Sequence, residues 1–364
     1  MTHDAVAAQP VFDPTTAGVH GGPDAQGVPA HDFSTNSNAC GPCPVALAAL
    51  QACDASRYPD PAYTDLRQQL ADFHGVQAWR VVLAGSASEF IYRITAWVAQ
   101  QGGRTVSVPL HAYGDYAQAA RAWGMAVETV EASAALHWHA DPSSPLGQSL
   151  NEGAAINNHA AQHVLDCAYE PLRLSGATVW SGVQRDALLW QLYSPNKALG
   201  MTGVRAAYAI APLQAAQAVA ALNGLCASWP VGAHGVALLQ SWVRSEVQSW
   251  LAQSRETLRQ WKRTQILMFE GLGWHCLPSQ TNFFCARPPE SLCTAQTLNT
   301  LLAQLRSQSV KLRDAQSFGL PGWVRIGVLP PASQDALCTA LRTYMAQAGG
   351  PAMTPPYLEI TRAS

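Results

Sequence analysis

Apolar positions follow two rhythms along this chain. Over roughly the first two-thirds, short β-branched runs alternate with stretches of helical spacing. Val81-Val-Leu83, Val106-Ser-Val-Pro109, Val127-Glu-Thr-Val130, Val164-Leu165 and Thr178-Val-Trp180 read as strands. Helices are predicted after Pro44 (Val45, Leu47, Leu50), over Leu66 to His74, from Phe90-Ile91, and over Tyr116 to Trp123. Alternation of this kind predicts an α/β layer fold with a mostly parallel sheet.

Beyond Trp229-Pro230 the rhythm changes. Val236, Leu239, Val243, Val247, Trp250 and Leu258 fall near helical spacing, which predicts one long amphipathic helix from about Gly235 to Gly271. Strands at Phe283-Phe-Cys285 and Val324-Arg-Ile326 and a helix near Asp335 to Ala348 then suggest a small α+β unit. Residues 1 to about 30, rich in Gly, Pro, Ala and Asp, read as an irregular arm. The expected division is an arm and interdomain helix over 1–55, a large domain over 56–255 and a small C-terminal domain over 256–364.

Composition narrows the function classes. The 364 residues are 48% hydrophobic and 13% charged, with a net charge of −2. Without a Lys/Arg block there is no electrostatic footprint for nucleic acid or for a membrane surface. The apolar stretch Gly203 to Leu222 is broken by Arg205, Pro212, Gln214 and Gln217 and is not a membrane span. No secretory signal pattern is apparent, and nine scattered cysteines favour reduced thiols in the cytosol. Cys40-Gly-Pro-Cys43 matches a thioredoxin-type motif, but it follows a polar, turn-forming run rather than a strand, so a plain turn is expected. No metal site is expected.

The candidate chemistry centres on Lys197, one of only three lysines. It lies in Tyr193-Ser-Pro-Asn-Lys-Ala-Leu-Gly-Met-Thr-Gly-Val-Arg205. A Ser three before the Lys and an Arg eight after it suit a lysine that holds pyridoxal phosphate as a Schiff base, with Ser194 and Arg205 reaching its phosphate. A surface Lys in a Gly-containing loop is the plain alternative. Other segments supply matching pieces. Val82-Leu-Ala-Gly-Ser-Ala-Ser-Glu89 is a strand, a Gly/Ser turn and a helix start, suited to phosphate. Tyr113 follows a strand and could stack on a pyridine ring, or simply pack in the core. Asp166 ends a strand where ligands bind in open α/β sheets. There it can hold a pyridine nitrogen protonated, with Tyr169 bonding the phenolic oxygen. Arg313 and Arg325 offer guanidinium forks for carboxylate or phosphate, with a solvated charge on a strand the plain alternative for Arg325, and spacing alone selects neither.

Together these residues resemble the fold-type I pyridoxal phosphate enzymes of the aminotransferase class I/II superfamily, over about His20 to Met345. The fold this implies is a large domain with a mostly parallel, seven-stranded-type sheet and a small α+β C-terminal domain. Within the superfamily the chain looks most like the cobalamin-biosynthetic threonine-phosphate decarboxylases, near relatives of histidinol-phosphate aminotransferases. It has their His20-Gly-Gly22, Asp32-Phe-Ser-Thr-Asn-Ser-Asn38 and Tyr58-Pro-Asp-Pro61 in order. The resemblance implies Lys197 as the Schiff-base lysine, Asp166 as the pyridinium partner and Tyr169 as the O3′ donor. It implies Tyr113 at the ring, with Ala87, Ser88, Ser194 and Arg205 in the phosphate cup. Tyr58 would reach the neighbouring subunit's cofactor, which implies a cytoplasmic homodimer with shared sites. Arg325 would take the substrate carboxylate, and His20, Asn38 and Arg313 would lie near the substrate.

Two departures stand out. The superfamily's Asn-Pro-x-Asn-Pro-x-Gly is Asp141-Pro-Ser-Ser-Pro-Leu-Gly147 here, so Ser144 replaces an Asn that donates to the cofactor O3′. Its Asp-Glu-Ala-Tyr is Asp166-Cys-Ala-Tyr169. The resemblance implies a lyase acting on O-phospho-L-threonine; the alternatives are an aminotransferase using 2-oxoglutarate and a non-catalytic paralogue that holds the cofactor.

Overall fold

A computed structural model describes residues 21–129, 133–149, 161–292 and 294–347. A seven-stranded sheet runs in the order Val81–Ala84, Ala207–Ile210, Leu189–Tyr193, Gln162–Asp166, Leu136–Ala140, Thr105–Val108, Ala126–Thr129. Ala207–Ile210 is antiparallel to both of its neighbours, and the remaining pairs are parallel. The expected mostly parallel sheet is therefore present. Its faces are both covered. Val82 and Ala84 pack with Phe90 and Ile94 of the helix Ala87–Gln100, while Val81 and Leu83 pack with Leu66 and Leu70 of the helix Thr64–His74. Burial on two faces explains why such strands read as unbroken apolar runs.

Three strands of this sheet were not legible as strands. Leu136–Ala140 reads Leu-His-Trp-His-Ala, and its histidines meet another: His137 stacks on His163 at 4.4 Å, and His139 Nε2 lies 3.2 Å from His163 Nδ1. Ala207–Ile210 hides in an alanine-rich run whose composition favours no period. Leu189–Tyr193 is buried along its whole length. The strand expected at Thr178–Trp180 does not form. Thr178 instead donates its hydroxyl to Asp141 Oδ2 at 2.6 Å, and Arg173 pairs with the same carboxylate. Side-chain anchoring holds that segment in place of ladder bonds.

The long helix expected over Gly235–Gly271 is two helices, Ala233–Trp242 and Ser245–Gly271. Arg244 stands between them with extended backbone (φ −74°, ψ 139°). The apolar period survives the break because Leu238, Leu239, Val247 and Leu251 enter one cluster. The expected boundary at 255/256 falls inside the unbroken helix Ser245–Gly271. A second, antiparallel sheet follows in the order Arg313–Asp314, Val324–Gly327, Phe283–Arg287, His275–Cys276. Helices Ala295–Ser307 and Pro331–Gln347 pack against it through Leu298, Leu301, Leu337 and Leu341. The last of these begins at Pro331 rather than near Asp335, as a proline at a helix start permits.

The arm is fastened to this C-terminal part. His31–Asp32 pairs in parallel with Val310–Lys311. Arg306 and Lys311 each approach Asp24 to 2.8 Å and hold its carboxyl well below the usual range. No helix among the described residues is long and apolar enough to cross a membrane.

Two partly buried histidines predict the acid response. Burial, then His163 and His137, push His139 down to about 3. Burial and Arg185 push His74, which bonds the Tyr208 hydroxyl, down to about 4. Both are neutral in the fold, whereas the unfolded chain protonates them near pH 6.5. The unfolded state binds more protons below that pH, so stability falls as pH drops, by about 1.4 kcal/mol per histidine per unit. Between pH 7.5 and 5, urea unfolding of the wild type is expected to lose about 2 kcal/mol more than His74→Gln. Equal acid losses would contradict a neutral, partly buried His74.

Candidate active site

The C-terminal ends of the parallel strands open on a cavity of about 360 Å³. Ser86–Ser88 follow the strand Val81–Ala84, Tyr113 follows Thr105–Val108, Ser144 follows Leu136–Ala140, and Tyr169 follows Gln162–Asp166. Ser194 and Lys197 follow Leu189–Tyr193. Arg205 precedes its strand, yet reaches the same edge because Ala207–Ile210 runs the other way. The cavity is lined by Lys197, Asp166, Tyr169, Tyr113, Ser194 and Arg205. Ala87, Ser88, Ser144, Arg313 and Arg325 line it too. Asn38 and Tyr58 do not, and His20 lies outside the described residues.

Asp166 is only 8% exposed. Its Oδ1 accepts from the Ala168 N–H at 2.9 Å and its Oδ2 from the Tyr116 hydroxyl at 2.6 Å, which fixes the carboxylate's orientation. Tyr116 is itself buried and stacks on Trp138, with centroids 4.3 Å apart and planes 7° from parallel. Burial, then the Asp166 charge, push the Tyr116 phenol well above its ordinary value, so it remains a donor. Sequence reasoning took Tyr116 only as the start of a helix. The available signal was its spacing, one helical turn after Tyr113.

The Lys197 amine lies 3.5 Å from Ser194 Oγ and 5.5 Å from the Tyr169 ring centroid. Its loop is braced from the arm. The Asn38 N–H donates to the Lys197 carbonyl and Asn38 Nδ2 to the Ala198 carbonyl, both at 2.9 Å. Cys43 N–H donates to the Leu199 carbonyl at 2.9 Å. Gly200 has a left-handed backbone (φ +68°), and a Cβ there would stand 2.8 Å from Gly41 Cα. Cys40-Gly-Pro-Cys43 is thus a turn packed under the lysine loop, with both thiols free and Cys43 wholly buried.

At one end of the cavity, the helix Ala87–Gln100 presents its first turn, whose N–H groups have no acceptor within the helix. Ser86 is used as its cap, accepting from Glu89 N–H at 3.0 Å. The Ser88 hydroxyl lies 3.3 Å from the Tyr113 hydroxyl. Burial, then Asp115, raise the Tyr113 phenol far above its usual value.

The other end is built from the small sheet and the arm. Arg325 is buried, and donates to Ser144 Oγ at 3.3 Å and to the Ser34 carbonyl at 3.0 Å. No carboxylate of a described residue lies within ion-pair distance of it. Arg313 donates to the Asp314 carbonyl and the Ser317 hydroxyl, and burial with the nearby Arg325 lowers it to about 10. Asn36, not Asn38, brings an amide to the cavity: it is 3% exposed and its Nδ2 lies 3.4 Å from the Tyr169 hydroxyl. Its Oδ1 is buried without a partner. Ser34, Thr35 and Asn36, which follow one another through a turn and a bend, all line the cavity, so no strand-like period in the motif marked them. Gly21 backs onto the Ser34 carbonyl, where a Cβ would come within 2.1 Å.

Each part of pyridoxal phosphate has a matching group here. An amine is available for the aldehyde, a carboxylate for the ring nitrogen, a phenol for the ring oxygen, and hydroxyls, Arg205 and a helix N-terminus for the phosphate. Residues 29–341 match the model of the family described as aminotransferase class I and II. The chain is 26% identical over 337 residues to histidinol-phosphate aminotransferase 2 of Burkholderia mallei, covering 86% of this chain and 92% of that protein. Among solved structures, it superposes on histidinol-phosphate aminotransferase from Sinorhizobium meliloti in complex with pyridoxal-5′-phosphate. That match has a TM-score of 0.75 and 20% identity and covers 86% of this chain and 90% of the other. It also superposes on L-threonine-O-3-phosphate decarboxylase from Porphyromonas gingivalis, with a TM-score of 0.67, 21% identity, and 83% and 94% of the two chains covered. At these identities the structural likenesses establish the fold.

Proposed function

The chain belongs to the aminotransferase class I and II family and is a pyridoxal-phosphate-dependent enzyme; from that premise we propose that its substrate is an amino acid with a second anionic group. The reading taken furthest is decarboxylation of O-phospho-L-threonine to 1-aminopropan-2-ol phosphate, a step towards the cobalamin side chain. The observation that carries it is the pair of buried guanidiniums, Arg313 and Arg325, in one cavity with Lys197. The His20-Gly-Gly22 opening supports the same choice.

When bound, the cofactor supplies an electron sink for the substrate's α-carbon. Asp166, held by Tyr116 and Ala168, keeps the proton on the ring nitrogen. Tyr169 donates to the ring oxygen, and Asn36 donates to Tyr169. Ser144, which accepts from Arg325, has a shorter side chain than the Asn it replaces, which leaves Tyr169 as the main donor there. Arg325 seats the α-carboxylate, and Arg313 the second anion. As the bond from Cα to the carboxylate breaks and CO₂ leaves, Lys197 returns a proton to Cα. The arm, with Gly21 and Ser34 at the cavity wall, excludes water.

A second reading is an aminotransferase, favoured by the name of the Burkholderia mallei relative. There Lys197 removes the Cα proton, and the two guanidiniums seat the dicarboxylate 2-oxoglutarate. Product analysis of the holoenzyme separates the two. CO₂ from O-phospho-L-threonine without an added acceptor supports the lyase. A keto product that forms only with 2-oxoglutarate overturns it in favour of transamination.

For either reading, Arg325→Leu is expected to raise KM for a substrate with an α-carboxylate about 30- to 100-fold, the loss of one charge-assisted fork. Binding of an amine that lacks the carboxylate should not change. Steady-state kinetics on both compounds check this, and an equal loss for each would remove Arg325 from carboxylate recognition.

The proposal also makes the protein a cytoplasmic homodimer. Tyr58 stands outside its own cavity, 77% exposed and stacked on Trp229 with centroids 4.5 Å apart, free to serve a partner's cofactor phosphate. Sedimentation at the mass of a dimer is expected, with Tyr58→Phe weakening cofactor affinity about fivefold. A monomer with full cofactor affinity would exclude Tyr58 from the site.

A further inference from the structure

The turn Gln316–Phe318 carries an aromatic ring between two like charges. The guanidinium carbons of Arg313 and Arg325 lie 5.0 and 5.2 Å from the Phe318 ring centroid. Both cations are thereby referred to one small platform. Within the small sheet's own segment the turn is closed by the Phe318 N–H to Ala315 carbonyl bond, by Gly319 with φ +76°, and by Arg313 on Ser317 Oγ at 2.7 Å.

A further tie crosses from the large sheet. His111, in the loop two residues before Tyr113, has its Nδ1 2.8 Å from the Phe318 carbonyl. A carbonyl only accepts, so Nδ1 carries the hydrogen. The ring also packs on the turn's end, where a Cβ at Gly319 would meet Nδ1 at 3.5 Å. Arg313 and Arg325 face each other on paired strands, and the Arg325 guanidinium is tied beyond the turn as well, to Ser144 Oγ and the Ser34 carbonyl. The Arg313 side chain bonds Ser317 directly, so a displaced turn moves the Arg313 guanidinium relative to that of Arg325.

We propose that His111 is a positioning residue for substrate specificity: it latches the Phe318 turn to the large sheet and so sets the spacing of the two guanidiniums that a doubly anionic substrate must bridge. This rests on the reading that Arg313 and Arg325 seat the substrate's two anions. A ligand with one carboxylate uses Arg325 alone and is indifferent to the latch. A ligand with two anions is not.

The test is calorimetric titration of the holoenzyme with 3-phosphonopropionate, which has a carboxylate and a phosphonate but no amine to react, and with propionate. His111→Ala is expected to weaken 3-phosphonopropionate about tenfold and propionate by less than about twofold, one lost hydrogen bond being worth a factor of this order. The cofactor absorbance should be unchanged. His111→Asn, which carries an N–H at the δ position, should restore most of the affinity. If wild type and His111→Ala favour the dianion equally, the latch is overturned while the two-anion reading stands. If His111→Ala weakens both ligands alike and disturbs the cofactor spectrum, His111 is merely structural and the latch is overturned. If the wild type itself does not prefer the dianion, the two-anion reading fails and the latch fails with it.

Discussion

Lys197→Ala is expected to fold, to bind pyridoxal phosphate only reversibly, and to lose turnover by at least about three to four orders of magnitude. The size of the loss follows from two duties on one amine: holding the cofactor and moving the proton at the substrate's α-carbon. No other lysine can substitute. Lys262 Nζ donates to the Ser279 and Thr281 carbonyls at 2.6 and 2.7 Å, and burial lowers it to about 8. Its amine is thus easier to deprotonate than an ordinary lysine's, yet it lies away from the cavity. Lys311 is committed to Asp24 and the Gly22 carbonyl. Steady-state rates of Lys197→Ala and Lys262→Met, each checked for folding by circular dichroism, decide the assignment. Comparable losses in both would mean that the cavity lysine has no special role.

The second large effect is at Asp166. Asp166→Asn keeps the shape and can still accept from Tyr116, but it cannot balance a protonated ring nitrogen. Turnover is expected to fall about 10³-fold with stability nearly unchanged. Asp166→Ala should lose as much rate and also about 1–3 kcal/mol of stability, because the buried Tyr116 hydroxyl loses its acceptor. Rates and urea midpoints of the two variants separate the electrostatic duty from the structural one. An Asn variant as active as wild type would end the argument for a ring-nitrogen carboxylate.

What could be read from the chain depended on how far each signal was local. Val81–Ala84 announces itself as an unbroken apolar run, as a strand buried on both faces does, and Thr105–Val108 and Gln162–Asp166 by shorter valine-containing runs. Leu136–Ala140 and Ala207–Ile210 do not, because histidines and alanines carry no strand period. The break at Arg244 was invisible for a related reason: both flanking helices feed one core, so the apolar spacing continues across it. The residues proposed to hold the cofactor were the most legible part, as they lie at strand ends and in compact motifs. Eleven motif residues named in advance, from Ala87 to Arg325, do meet in one cavity. Residues acting through tertiary contacts were not legible. Tyr116 matters because a fold places it on Asp166, 50 positions away, and His111 because it meets Phe318 across 207. Asn36 and Asn38 are both in the early motif, and only the tertiary fold sends one to the cavity and the other under the lysine loop.

Lys197 is proposed to carry the cofactor. The most direct measurement is borohydride reduction of the protein saturated with pyridoxal phosphate, followed by proteolysis and peptide mass spectrometry. The account predicts a reduced pyridoxyl-phosphate adduct on the peptide containing Lys197, and on no peptide containing Lys262 or Lys311. An adduct on either of those lysines, or no adduct at all, would contradict it.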